Sequence, residues 1–505
     1  MRHVVPVTTA EFDDDLTSAI AVVGAYATPH GPMFGAGGRA LAQALGLEPG
    51  AMDPVDPGFH ADSGQSTRMA LAGDGTRVTL LMVGLGERAA VTADVLRAAA
   101  FRSARLLKSE TFTSTLALEL DDRAAAVRAV TEGIGLGDYR YSRGGGPSTA
   151  SDDDRPVACL LIDARVDSGT VSENIVRGTV IAESANWVRQ LVETPSNLLG
   201  PADLAAEIVA YAQAFTPDAF DISVWPADKL SHHGFGATLA VGAGSARPPC
   251  VVELRSRSKA RGVGVAGKGI TFDSGGINLK KDAGELGWMK SDMAGAAAVA
   301  AAIVASARLN ECPAVHAILP LADNMPSGSA VRPGDVVVHP NGRTTEVVDT
   351  DCEGRLVLAD AIAWLSGTNP TAIIDVGTLT DSGAVGTAMW GCWTNDPEFG
   401  AGLVSAGLGA GDPGWVLPLH ASYRALFASP VADSRNAAAD VPDSGQLAAT
   451  FLEPFAGGFP WAHIDNGSGA YLERESAEWP QGATGTPTRA LIEYLGQLYR
   501  MSVDD

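Results

Sequence analysis

The chain has 505 residues, of which 46% are hydrophobic and 19% charged, and its formal charge is −23. That length exceeds one ordinary core, so two globular domains are expected and disorder is excluded; the acidity argues against a nucleic-acid surface or an anionic membrane as partner. Five cysteines, odd in number and without CxxC spacing, fit reduced thiols in a cytoplasmic protein and speak against a thiolate zinc site.

In chain order, the first text carries Asp13, Asp14 and Asp15 where a secretory signal needs an apolar core, so none is expected. Arg77 to Val83 reads as a strand running into Gly84-Leu-Gly86, and Val95 to Leu107 as a helix. Gly144 to Pro147 and Ser151 to Asp154 are loop chemistry. A strand from Ala158 to Asp163 precedes a helix from about Ser172 to Glu193, which stops before Pro195. The domain boundary is placed near residue 168, giving domains 1–168 and 169–505. The second part alternates Cys250–Leu254, Gly262–Ile270, a helix Ala294–Arg308, His316–Pro320, a helix from Leu356 and a strand Ala372–Val376. The alanine-rich run is too short to span a bilayer, so no membrane is expected. The fold class is therefore α/β: a smaller N-terminal domain, then a larger one with a mainly parallel sheet flanked by helices. Ligands in such sheets gather at the carboxyl ends of strands, and Asp273, Asp351 and Thr378 all follow strand-like runs.

Gly262-Val-Gly264-Val-Ala-Gly267-Lys268 matches GxGxxG and nearly matches a P-loop. The P-loop needs Ser or Thr after its lysine, and Gly269 stands there. The dinucleotide motif needs a helix immediately after the glycines, and Ile270-Thr-Phe is strand-like. Neither nucleotide is expected.

The densest chemistry lies in two halves. One is Gly267-Lys268 to Asp273-Ser-Gly-Gly276 with Lys280 and Met289-Lys-Ser-Asp292; the other is Asp349-Thr-Asp351-Cys-Glu353-Gly-Arg355. Alone, an Asp-x-Glu-x-Arg string is commonly a solvated loop. Together, four carboxylates set in apolar sequence match the charge of two divalent ions. Hard oxygen ligands without histidine suit Mn²⁺, Mg²⁺, Co²⁺ or Zn²⁺.

At these residues the chain resembles the leucyl aminopeptidases, a family of cytosolic two-metal peptidases. The matching text also includes Glu193-Thr-Pro-Ser-Asn197-Leu-Leu-Gly-Pro201, Arg332-Pro-Gly-Asp335, Thr350 to Asp360, Thr378-Leu-Thr380 and Trp461-Ala-His-Ile-Asp465. It covers roughly residues 170 to 490. The first domain is similar to the family's variable N-terminal domain only in size and α/β pattern. The resemblance implies that Lys268, Asp273, Asp292 and Glu353 hold one metal, and Asp273, Asp351 and Glu353 the other. Manganese or zinc is the first expectation, magnesium or cobalt the next. Lys280 would stabilise the tetrahedral intermediate, and Arg355 would hold a bicarbonate acting as general base. Met289, Thr378, Leu379, Asp381, Gly467 and Ala470 would line the pocket for the N-terminal side chain. Asp381 stands where the family has glycine; it either favours basic side chains or is simply solvated. His463 is expected to be structural. Between Lys280 and Asp292 the text is one residue longer than usual, which should alter a loop more than the ligands.

The implied reaction is hydrolysis of the N-terminal residue from peptides with a free terminus, through a metal-bound hydroxide, in a cytoplasmic homohexamer. Two alternatives stay open: another two-metal hydrolase of phosphoesterase type, and a non-catalytic DNA-binding or structural member of the family.

Overall fold

The computed structural model describes residues 1–8, 20–46, 56–73, 76–108, 110–142, 156–258, 260–380, 385–438, 441–476 and 479–504. The acids at 13–15, the loop signals at 144–147 and 151–154, and Asp381 lie outside the described residues. The chain divides into two compact units, Met1–Asn186 and Trp187–Asp505. Residue 168, where the boundary was expected, is the first residue of the helix Ser168–Glu193, which runs through the division.

The first unit is built on seven described strands: β1 (His3–Thr8), β2 (Ile20–Tyr26), β3 (Met33–Phe34), β4 (Ser66–Gly73), β5 (Thr76–Gly84), β6 (Phe112–Ser114) and β7 (Val157–Ile162). Their order is β1-β7-β6-β2-β5-β4, with β3 on β2. β1, β7, β6, β2 and β5 run parallel; β4 pairs antiparallel with β5, and β3 with β2. The helices Ala93–Leu107 and Arg123–Gly137 bury apolar faces in the core around Val22, Leu81 and Leu160. The expected strand at 77–83 and helix at 95–107 are both present.

The second unit opens with β8 (Phe220–Trp225), β9 (Cys250–Ser256), β10 (Val263–Gly267), β11 (Gly269–Asp273) and β12 (Val315–Asn324). A small sheet follows, made of β13 (Val336–Val338) and β14 (Thr344–Glu346) with the later β18 (Ser434–Arg435). The remaining strands of the main sheet are β15 (Ile373–Gly377), β16 (Trp390–Thr394), β17 (Gly414–Val416) and β19 (Trp461–Asp465). The main order is β17-β16-β19-β15-β10-β12-β9-β8, with β11 on β12. β12, β10, β15 and β19 run parallel at the centre, and antiparallel pairings begin at β16 and β9. The central strands read as near-continuous apolar runs, as parallel strands covered on both faces do.

The run from 262 to 270, expected as one strand, is two. β10 ends at Gly267, Lys268 forms the break, and β11 crosses to pair with β12. The near-dinucleotide glycines are packing residues. A Cβ on Gly267 would lie 2.7 Å from Cα of Ala296, and one on Gly295 would lie 2.3 Å from the Val376 carbonyl oxygen. The alanine-rich helix Ala294–Arg308 therefore sits close over the sheet and is buried from Ala294 to Ser306. Ala283–Arg308 is apolar and long enough for a bilayer by composition, but its most apolar 18-residue window is 94% buried and the helices within the segment are interrupted at Met289–Ser291.

Candidate active site

Each acid reaches the site from a strand end or a helix start. Asp273 is the last residue of β11, Asp292 follows the short turn Met289–Ser291, and Glu353 opens the helix Glu353–Ser366 just after Asp351. Thr378 follows β15. Parallel strands put these ends on one edge of the sheet, and the residues line one cavity of about 600 Å³.

One oxygen from each of Asp273, Asp292 and Glu353 lies within 4.8 Å of the others. Lys268 Nζ lies 2.8 Å from Asp292 Oδ1 and 2.8 Å from Glu353 Oε1. It also donates to the Thr378 carbonyl oxygen at 2.7 Å. Lys280 Nζ is 2.9 Å from Asp273 Oδ2 and 2.7 Å from Asp351 Oδ1. Neighbouring amides and a hydroxyl orient these carboxylates. Asn324 Nδ2 donates to Asp273 Oδ1 at 2.8 Å, the Gly275 amide donates to it at 2.9 Å, and Thr378 Oγ1 donates to Asp292 Oδ1 at 2.6 Å. Asp465, at the end of β19, accepts from the Thr380 amide at 3.1 Å and the Thr380 hydroxyl at 2.7 Å, which holds the Thr378–Thr380 turn.

The electrostatics are those of a cation site. Burial raises the carboxyl pKa of Asp292 and Glu353 against the pull of Lys268. Burial, then Asp273 and Glu353, push Asp351 up to about 8. For Lys268 and Lys280 burial opposes the charge, but the surrounding carboxylates outweigh it and hold both above the ordinary lysine value. Counted as fully ionised, Asp273, Asp292, Asp351 and Glu353 bring −4 against +2 from the lysines, leaving −2. Asp292 Oδ2 and Glu353 Oε2 are buried without a hydrogen-bond partner. Buried carboxylate oxygens of that kind are costly without a cation, so the donor set fits divalent metal ions.

Met289, Thr378, Leu379 and Gly467 line the same cavity. Ala470 is buried and is not among the residues that line it. His463 is structural: its Nδ1 pairs with Asp375 Oδ1 at 2.6 Å, inside the sheet. Arg355 is held by two partners within the chain. Its Nη1 donates to the Asn436 carbonyl oxygen at 3.0 Å and its Nη2 to the Asp443 carboxylate. The guanidinium assigned to a bicarbonate thus already carries an acid of the chain on Nη2, while its Nε is buried without a hydrogen-bond partner.

Sequence reasoning missed Asp443 and Glu285. Asp443 precedes Ser444, which caps the helix Gly445–Leu452 by accepting from the Leu447 amide. That capping pattern was visible, but the partner 88 residues away was not. Glu285 lies in the longer segment after Lys280. Within this segment lies the helix Ala283–Trp288, opened by Asp282, which accepts from the Gly284 and Glu285 amides. Glu285 comes within 3.7 Å of Lys280 Nζ.

The profile of the cytosol aminopeptidase family's catalytic domain matches residues 186–492, and that of its N-terminal domain matches residues 56–144. A probable cytosol aminopeptidase of Roseiflexus castenholzii is 39% identical, covering 82% of this chain and 86% of that relative. One of Streptomyces coelicolor is 36% identical, covering 93% and 94%. The solved structure "Bottromycin maturation enzyme BotP in complex with Mn" is 36% identical, with a TM-score of 0.81 and coverage of 95% and 100%. The chain belongs to the cytosol aminopeptidase family.

Proposed function

We propose that this peptidase is a metal-dependent aminopeptidase acting in the cytoplasm on peptides with a free N-terminus. The observation that supports it most is the meeting of four carboxylates and two lysines in one cavity. Lys268, Asp273, Asp292 and Glu353 would hold one divalent ion, and Asp273, Asp351 and Glu353 a second; a manganese-bound relative of the same fold supports the metal class. When bound, the ions supply Lewis acidity, which lowers the pKa of water and polarises a carbonyl. For Lys268 to act as a ligand it must give up its proton, and its two carboxylate neighbours make that uphill until a stronger cation arrives.

The chain's own residues supply the rest. Lys280, held between Asp273 and Asp351, presents a fixed positive charge to the oxygen that gains charge as the peptide carbonyl is attacked. Met289 and Leu379 give the cavity an apolar wall for the N-terminal side chain, and the Asp465-held turn keeps the Thr378 carbonyl oxygen and the substrate edge in register. Leucine-type preference and homohexamer assembly rest on the resemblance alone.

The test is metal analysis of the purified protein joined to a panel of aminoacyl anilides, a blocked peptide and a phosphate ester. Turnover should need divalent metal and a free amino group. Cleavage of the phosphate ester without anilide turnover would overturn the proposal.

A further inference from the structure

We propose that Asp443 is the general base of the reaction and stands in the place that the family resemblance gives to bicarbonate. The proposal rests on the aminopeptidase reading above. Arg355 is 1% exposed on its side chain and Asp443 36%. One Asp443 oxygen, Oδ2, accepts from Arg355 Nη2. Cys352 Sγ, between Asp351 and Glu353 in sequence, lies 3.9 Å from the same oxygen. No described group donates to the other oxygen, and Asp443 lines the cavity with Asp273, Lys280 and Asp351.

The local fold fixes this carboxylate. Ser444 caps the next helix, and Gly445 abuts Trp393 so closely that a Cβ there would lie 2.2 Å from the indole. Asn436, whose carbonyl oxygen takes Arg355 Nη1, is itself tied by donating from its Nδ2 to Asp349 O at 2.6 Å and accepting from the Val348 amide at 2.8 Å. The arginine and its acid are therefore both anchored. A side-chain carboxylate and a bicarbonate offer the guanidinium the same O–C–O fork. The tethered one is always present, so free bicarbonate must compete with an intramolecular group.

The step balances without any other reactant. Water adds its oxygen to the scissile carbonyl carbon while Asp443 takes one of its protons. The carbonyl π pair moves onto its oxygen beside Lys280. As that pair returns, the C–N bond breaks and the Asp443 proton goes to the leaving amine. Asp443 ends as it began.

The experiment compares wild type, Asp443→Ala and Asp443→Asn in carbonate-depleted buffer, each with metal content measured. Wild-type kcat should change less than twofold on adding bicarbonate, and labelled bicarbonate should not bind it. Both variants should lose kcat by on the order of 10²–10⁴-fold with metal retained. Bicarbonate or formate should restore Asp443→Ala, whose truncated side chain leaves the arginine open, by at least tenfold, and should bind to it. Strong bicarbonate stimulation of the wild type, or bicarbonate binding to it, would overturn the proposal. So would an Asp443→Asn enzyme with full kcat, which would make the residue a tether for Arg355. Wild type without aminoacyl turnover would instead remove the peptidase reading itself.

Discussion

Replacing Gly354 with Ala adds one methyl group at the most crowded point of the site. Gly354 is the second residue of the helix that Glu353 begins. A Cβ there would lie 2.5 Å from Nζ and Cε of Lys268 and 2.6 Å from Leu379 Cδ2. Such contacts force a shift. The Lys268 tip is flexible in principle, but here it is tied to Asp292, Glu353 and the Thr378 carbonyl oxygen at 2.7–2.8 Å. Moving it uncouples two buried carboxylates, and moving the helix drags Glu353 away from Asp273. Overpacking of this kind costs about 1–3 kcal/mol. If that strain falls on the metal-binding arrangement, affinity for the first ion drops about 5–150-fold. The control is Gly287→Ala, where a Cβ would meet nothing within 4 Å in the helix Ala283–Trp288; it should be neutral to slightly stabilising, by less than about 1 kcal/mol. Manganese titration by calorimetry, with thermal denaturation of the metal-free proteins alongside, reads both effects. A Gly354→Ala protein with wild-type metal affinity and wild-type Tm would refute the packing argument and the placement of Lys268.

Glu353→Ala should abolish turnover and lose at least one ion per chain, because it removes a buried charge from the centre of the cluster; two retained ions with near-normal turnover, by elemental analysis and anilide assay, would undo the ligand assignment. Lys280→Ala should lower kcat on the order of 10²–10³-fold, the loss typical of one oxyanion donor. Metal content should change much less, and depleted metal with unchanged kcat would make Lys280 a support for the acids instead. Asp375→Ala should destabilise without touching the cavity. It strips the acceptor from Trp461 Nε1 at 2.7 Å and His463 Nδ1 at 2.6 Å, leaving two buried donors at about 1–3 kcal/mol each; an unchanged Tm would show that those donors find other partners.

How much was legible in the sequence follows from how each residue reaches the site. Asp351, Glu353 and Arg355 are spelled within five positions, and Lys268 with Asp273 within six. Short spacing across a strand end or a helix start keeps such groups together whatever the rest of the chain does. The alternation of apolar strands and helices likewise announced a parallel sheet, because strands covered on both faces must be apolar throughout. The broken strand at Lys268 was not legible. Its glycines look like any glycine-rich strand end, and only the close approach of the helix Ala294–Arg308 makes them necessary. The pairing of Lys280 with Asp273 and Asp351, rather than with solvent, needed β11, the turn after it and the start of the helix Glu353–Ser366 to meet at one sheet edge. The tertiary structure alone decided what Arg355 touches. Its acid comes from a loop 88 positions later, and no local pattern in either segment encodes that meeting, because it depends on which helix the sheet's far strands deliver to the cavity wall.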